Sequence, residues 1–240
     1  MNKIIYYVNV FFALISVFFM VDASAKDVIK ATGILQAYWM PQSDENGQPK
    51  SPYIMMRFFE TNEKHNKTFY LYESKNSKGV KDYFEENKAE NFIKEKFKNI
   101  PEEFFKFKEG HVEQYGIITY SGVVILSECD NKQNFVKLNS FISGSTTRYN
   151  LQKIESRSGC DSQPYSVMYT IKSNRKDVFL KSRPSEQSEN IESKPIDKPL
   201  VKVKTVNDEW VYVALYDATM PADMFKIKGY IRTQDLEVAN

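Results

Sequence analysis

Apolar and polar residues alternate along most of this chain with a period of two, the repeat of strands that show one face to a core. "VIKATGILQAYWM" (28–40), "YIMMRFFE" (53–60) and "KTFYLYE" (67–73) each predict a strand, separated by the turn-rich "PQSDENGQPKSP" and by the loop "TNEKHN". One segment changes period. Ala89, Phe92, Ile93, Phe97 and Ile100 recur at helical spacing with Lys and Glu opposite them, and Pro101 stops the run. "HVEQYGIITYSGVVILSEC" (111–129) and "NFVKLNSFI" (134–142) then return to strands, so the order is three strands, a helix and two strands.

The polar passages "SGSTTRYN" and "ESRSGCDSQP" follow, and they place a domain boundary near residue 155. Two domains are expected, 26–155 and 156–240. In the second, "VKVKTVNDEWVYVAL" (201–215) predicts a hairpin turning at Asn207-Asp208-Glu209. Alternation points Val178 and Leu180, and likewise Val211 and Val213, toward a core. Phe179, Trp210 and Tyr212 then face outward, and Tyr230 on a neighbouring strand extends the row. Exposed aromatics beside Arg183 suit contact with a peptide or a glycan, because rings offer apolar area with little rotamer entropy to lose. The alternative is that Trp210 covers the open end of the core or rests on the neighbouring domain. Trp39, next to Tyr38, reads as core or interdomain filler.

Two resemblances sharpen the fold class. The N-terminal order resembles, in topology only, the five-stranded OB barrel with its helix between the third and fourth strands. Gly33, Gly116 and Gly122 sit inside strand patterns, where barrels use glycine for bulges and bends. From Tyr169 onward the chain resembles a bacterial SH3-type (SH3b) domain: "VFLKSRPS" matches the family's opening strand at Val178, Leu180, Lys181, Pro184 and Ser185. Trp210 matches its hairpin tryptophan, and Gly229, Tyr230, Ile231 and Leu236 match its closing segment. Arg183 and Glu209 stand where the family has glycine, and "LYDATMPADMFKIK" lengthens the approach to Gly229. The expected fold is mainly β with one helix, an N-terminal α+β OB-like barrel followed by a C-terminal SH3-like β-barrel.

The first residues change the picture of compartment. "IIYYVNVFFALISVFFM" after Lys3, followed by Ala23-Ser24-Ala25, has the form of a signal peptide, residues 1–25, cut after Ala25. A membrane anchor is the other reading, since the apolar run lies near the lower limit of the about 17–25 residues that span a bilayer. The small-x-small site favours cleavage, a periplasmic or secreted protein, and no stable membrane anchor afterwards. In an oxidising compartment Cys129 and Cys160 either pair as a disulfide or stay as two buried thiols. The net charge of +2, with Lys and Glu interspersed, gives no basic stripe for nucleic acid.

Reactive chemistry is sparse. His65 and His111 are the only histidines, and each reads as a solvated side chain without cysteine or acidic partners at ligand spacing, so neither a metal nor a cofactor is expected. Ser173 and Lys176 have serine acyl-enzyme spacing but precede a strand instead of lying on a helix, and read as a turn. Asp82, Glu85, Glu86 and Glu90 suit a helix start. Without such chemistry a non-enzymatic protein is expected, and the SH3b resemblance together with the predicted aromatic row points to binding of an envelope protein or peptidoglycan in the cell envelope through Phe179, Arg183, Trp210, Tyr212 and Tyr230. An inhibitor or immunity protein acting on an exported toxin through the first domain is the alternative.

Overall fold

The structure is a computed structural model that describes residues 28–45, 49–61, 67–76, 79–82, 84–128, 131–145, 163–219 and 225–239. The expected leader, the boundary near residue 155, His65 and both Cys129 and Cys160 lie outside them. In chain order the N-terminal part holds β1 (Ile29–Ser43), β2 (Pro49–Glu60), β3 (Thr68–Tyr72), a small hairpin of β4 (Ser74–Asn76) and β5 (Gly79–Asp82), α1 (Glu86–Lys96), α2 (Glu102–Lys106), β6 (His111–Glu128) and β7 (Asn131–Ser143). The C-terminal part holds β8 (Met168–Ile171), β9 (Leu200–Thr205), β10 (Trp210–Leu215), β11 (Lys228–Arg232) and β12 (Leu236–Val238). The protein is mainly β.

Five N-terminal strands close on themselves in the order β1-β2-β3-β7-β6. All neighbours are antiparallel except β3 and β7, which run parallel from Phe69 opposite Asn134 to Tyr72 opposite Lys137. Period-two side chains fill the interior: Leu35, Ala37 and Trp39 from β1, Ile54, Met56 and Phe58 from β2, Phe69 and Leu71 from β3. Ala89 and Ile93 of α1 and Phe104 of α2 join that core. Each such large side chain contributes about 1.5–3 kcal/mol by leaving water.

Gly33 and Gly116 face each other across β1 and β6. A Cβ at Gly33 would stand 2.0 Å from the Phe59 carbonyl oxygen, and one at Gly116 would stand 2.4 Å from that of Ile142, so close backbone approach requires glycine at this corner. Gly122, with φ of 62°, sits where the β6–β7 register shifts, and the Tyr72 hydroxyl donates to its carbonyl at 2.7 Å.

The helical segment departs from expectation. A single helix running to Ile100 is replaced by two, because Phe97 is extended and Asn99 adopts φ of 57°, in the left-handed region that asparagine tolerates. Pro101 ends no helix here. It is the N-cap of α2, whose first turn needs no N–H from the residue before it. Around α1 the carboxylates stay at the surface, with Lys88 3.0 Å from Glu73 and Lys94 3.0 Å from Glu90.

The outer face of β1 and β2 is covered as well as the inner one. Gln36 and Arg57 are both fully buried, and Arg57 Nε donates to Gln36 Oε1 at 2.7 Å. The guanidinium carbon lies 5.3 Å from the Tyr38 ring centre and 4.8 Å from that of Phe59.

The C-terminal strands form a sheet in the order β11-β10-β9-β8-β12. Its core is Leu180, Leu200, Val211, Val213, Ile231 and Leu236, with Val178 packed against it. The inward residues are those that alternation selects. "VFLKSRPS", however, does not supply the opening strand. β8 holds that place between β9 and β12, and Val178–Lys181 runs in the long β8–β9 connection, where Lys181 forms isolated bridges to Asn190 and Tyr230. Pro184, which has no N–H to donate, follows three residues on.

Candidate functional site

The hairpin of β9 and β10 turns at Asn207 as expected. Its side-chain Oδ1 accepts from the backbone N–H groups of Glu209 at 3.0 Å and Trp210 at 2.9 Å, the local closure that asparagine provides in turns. Opposite pairs then place side chains on shared faces: Trp210 faces Arg232, and Tyr212 faces Tyr230 on one side and Lys204 on the other. Between Lys204 and Lys202 the register slips by one residue opposite Tyr212 and Val213, and the skipped Val203 is left exposed.

Of the five residues expected to form an exposed row, Tyr212 and Tyr230 do come together. Their ring centres are 4.8 Å apart and both are half-buried. Trp210 is a correction. It is only 6% exposed, because the Arg232 guanidinium lies 5.7 Å from its ring, held there by Glu186 at 2.9 Å and Glu209 at 3.3 Å. Alternation chose the face and missed the cover. Arg183 is exposed, and the following Pro184 lies at the site, whereas half-buried Phe179 supplies none of its wall.

Tyr230 opens onto a cleft of about 530 Å³ between the barrel and the C-terminal sheet. One wall comes from α2 and the residues after it: Glu102, Glu103, Lys106, Phe107 and Glu109. Pro184, Lys204, Thr205, Val206 and Tyr230 make the other. Glu109 ties the two walls, accepting from the Thr205 backbone N–H at 2.5 Å and the Thr205 hydroxyl at 2.7 Å and pairing with Lys202. Tyr38 and His111 add a second link through Tyr165, whose ring centre lies 6.1 Å and 4.3 Å from theirs. His111 therefore packs against the Tyr165 ring, with Glu113 2.8 Å from its Nε2, instead of being simply solvated.

No family model, curated protein or solved structure matches the chain. The site therefore rests on its own geometry. Among the described residues no group of His, Cys, Asp and Glu is placed to hold a metal ion, and Ser173–Lys176 is an exposed turn in which Arg175 N–H donates to the Lys172 carbonyl at 2.9 Å. Sequence reasoning missed the whole barrel-side wall. Nothing in the alternation links Glu102 and Glu103 to Tyr230.

Burial, with a smaller effect from the Glu109 charge, pushes the Tyr169 phenol up to about 12. The folded protein keeps this proton where the unfolded chain, with a phenol near its ordinary 10, gives it up. Stability held below pH about 10 should therefore fall by about 2–3 kcal/mol as pH rises to about 12. Urea midpoints measured at stepped alkaline pH check this. Tyr169→Phe should flatten part of the slope, the remainder coming from groups such as Tyr72 and Tyr120, which burial also raises.

Proposed function

We propose that this is an exported, non-enzymatic binding protein of the cell envelope whose C-terminal SH3-like domain takes up a segment of a partner protein. The observation that carries the reading is the Tyr212–Tyr230 pair, half-buried and continuous with a cleft through Tyr230. Paired rings at the edge of a groove offer apolar area that is already ordered, so little freedom is lost on binding. The SH3-like reading is supported by a five-stranded sheet whose central hairpin carries Trp210, and by a single 3-10 turn, Thr233–Asp235, leading to Leu236. An OB-like reading of the N-terminal part is supported by its three strands, helices and two strands, joined into a ring by the β3–β7 pairing.

The test is a pulldown from envelope extract and with purified peptidoglycan, comparing the protein with its Tyr212→Ala/Tyr230→Ala variant. Neither tyrosine is in the buried core, so circular dichroism should show the variant folded. Capture of a protein partner is expected to drop at least about tenfold, since truncating aromatic anchors typically costs 1 kcal/mol or more each. Undiminished capture by the folded variant would move the function to the N-terminal barrel, and capture of peptidoglycan alone would replace the protein segment with the wall polymer.

A further inference from the structure

We infer that the bound segment carries a basic side chain, which is gripped by the barrel while the C-terminal sheet holds the apolar part. The inference rests on reading Tyr212–Tyr230 as a binding surface. It adds a second contributor, because the cleft beside Tyr230 is walled by α2 of the other unit.

The charges on that wall fall into two classes. Glu109 is used within the protein, its two carboxylate oxygens occupied by Thr205 and Lys202. Glu102 and Glu103 are exposed, line the same cleft, and have no side-chain partner among the described residues. Other acidic residues near the helices are paired: Glu86 with Lys108, Glu90 with Lys94, and Glu73 with Lys88. The cleft therefore keeps two unspent negative charges on one side, and across it an aromatic and proline surface from Tyr230 and Pro184.

A basic side chain flanked by an apolar residue fits that division. Its cation meets the carboxylates, and its apolar neighbour lies on Tyr230 and Pro184. The lysines narrow the choice further. Lys106 lies with its ammonium 5.2 Å from the Phe107 ring centre, and Lys204 sits beside Tyr212 on the far wall. A run of consecutive basic residues would meet both, so a single lysine or arginine in an otherwise neutral extended segment is the better match. A space of about 530 Å³ lies within the range of about 300–1,000 Å³ typical of ligand clefts, enough for a short stretch of chain.

The experiment is fluorescence polarisation on the whole protein with labelled synthetic peptides of one length, with and without proline, each made as a basic form and as a copy with its lysine or arginine replaced by glutamine. Purified peptidoglycan serves as competitor. The proteins are the wild type, Glu102→Gln/Glu103→Gln, and Tyr212→Ala/Tyr230→Ala. The wild type should prefer the basic form by about tenfold at low salt, and the preference should shrink as salt rises. Glu102→Gln/Glu103→Gln should lose that preference while binding the glutamine copy as the wild type does. An unchanged preference in this variant, or a wild type that binds the glutamine copy as well as or better than the basic form, overturns the inference and leaves the tyrosine surface standing if Tyr212→Ala/Tyr230→Ala still loses binding. Binding that the tyrosine variant retains overturns the surface itself. Peptides that never bind while peptidoglycan does overturn both.

Discussion

Glu109→Ala is expected to lower the free energy of unfolding by about 3 kcal/mol and to loosen the two units from each other. The carboxylate and Lys202 are each only 17% exposed, so removing one leaves the other's charge largely out of water without its partner. The Thr205 N–H and hydroxyl lose their acceptor at the same time, and an unsatisfied buried donor costs about 1–3 kcal/mol. Partial exposure lets water repair some of this, which is why the expectation sits at the lower end of what breaking a buried pair costs. Urea unfolding gives the magnitude. Glu109→Gln, which keeps an acceptor and drops the charge, should fall between the two. If alanine at this position unfolds within about 0.5 kcal/mol of the wild type, a range usual for unimportant surface changes, Glu109 does not hold the cleft together.

Arg57→Ala should cost more, about 4–5 kcal/mol. The side chain is fully buried between the Tyr38 and Phe59 rings, and its removal leaves a space in a covered face of the barrel. Deleting a large buried side chain typically costs about 2–5 kcal/mol, depending on how far the surroundings collapse. The Gln36 amide oxygen also loses the Nε–H that satisfies it. Against a total stability of about 5–15 kcal/mol for a domain, a loss of this size is a large fraction of the whole. Arg57→Met keeps most of the volume and should recover the packing share, but not the hydrogen bond from Arg57 Nε to Gln36 Oε1. Denaturant titrations of the two variants separate the shares, and a Met variant no better than Ala would mean that volume is not what Arg57 supplies.

Both residues also show where a sequence can be read and where it cannot. The barrel strands were legible because Leu35, Ala37 and Trp39, or Ile54, Met56 and Phe58, alternate as residues facing one core must. The same rule assigns Gln36 and Arg57 to solvent. It fails there because the outer face is buried as well: Ile34, Tyr38 and Phe59 share it, the Tyr38 and Phe59 rings flank the guanidinium, and Tyr165 packs on Tyr38 from a distant part of the chain. Trp210 lies on the outward face that alternation selects but is covered there by Arg232, which Glu186 and the adjacent Glu209 hold in place. The cleft was less legible still. Tyr212 and Tyr230 could be paired through the hairpin pattern, but Glu102 shares a cleft with Tyr230, and Glu109 reaches Thr205, only through the packing of one unit on the other. The helix boundary was missed at Asn99, a residue whose left-handed conformation is permitted by its type and not dictated by it.

The two tryptophans are divided between the units, Trp39 inside the barrel and Trp210 on the C-terminal sheet, each beneath a cation, Lys108 and Arg232 respectively. The chain thus carries its own pair of optical probes. Replacing either indole with phenylalanine leaves a protein whose remaining tryptophan emission, excited selectively, reports a single unit, so the coupling expected of Glu109 can be watched from both sides without attaching a dye.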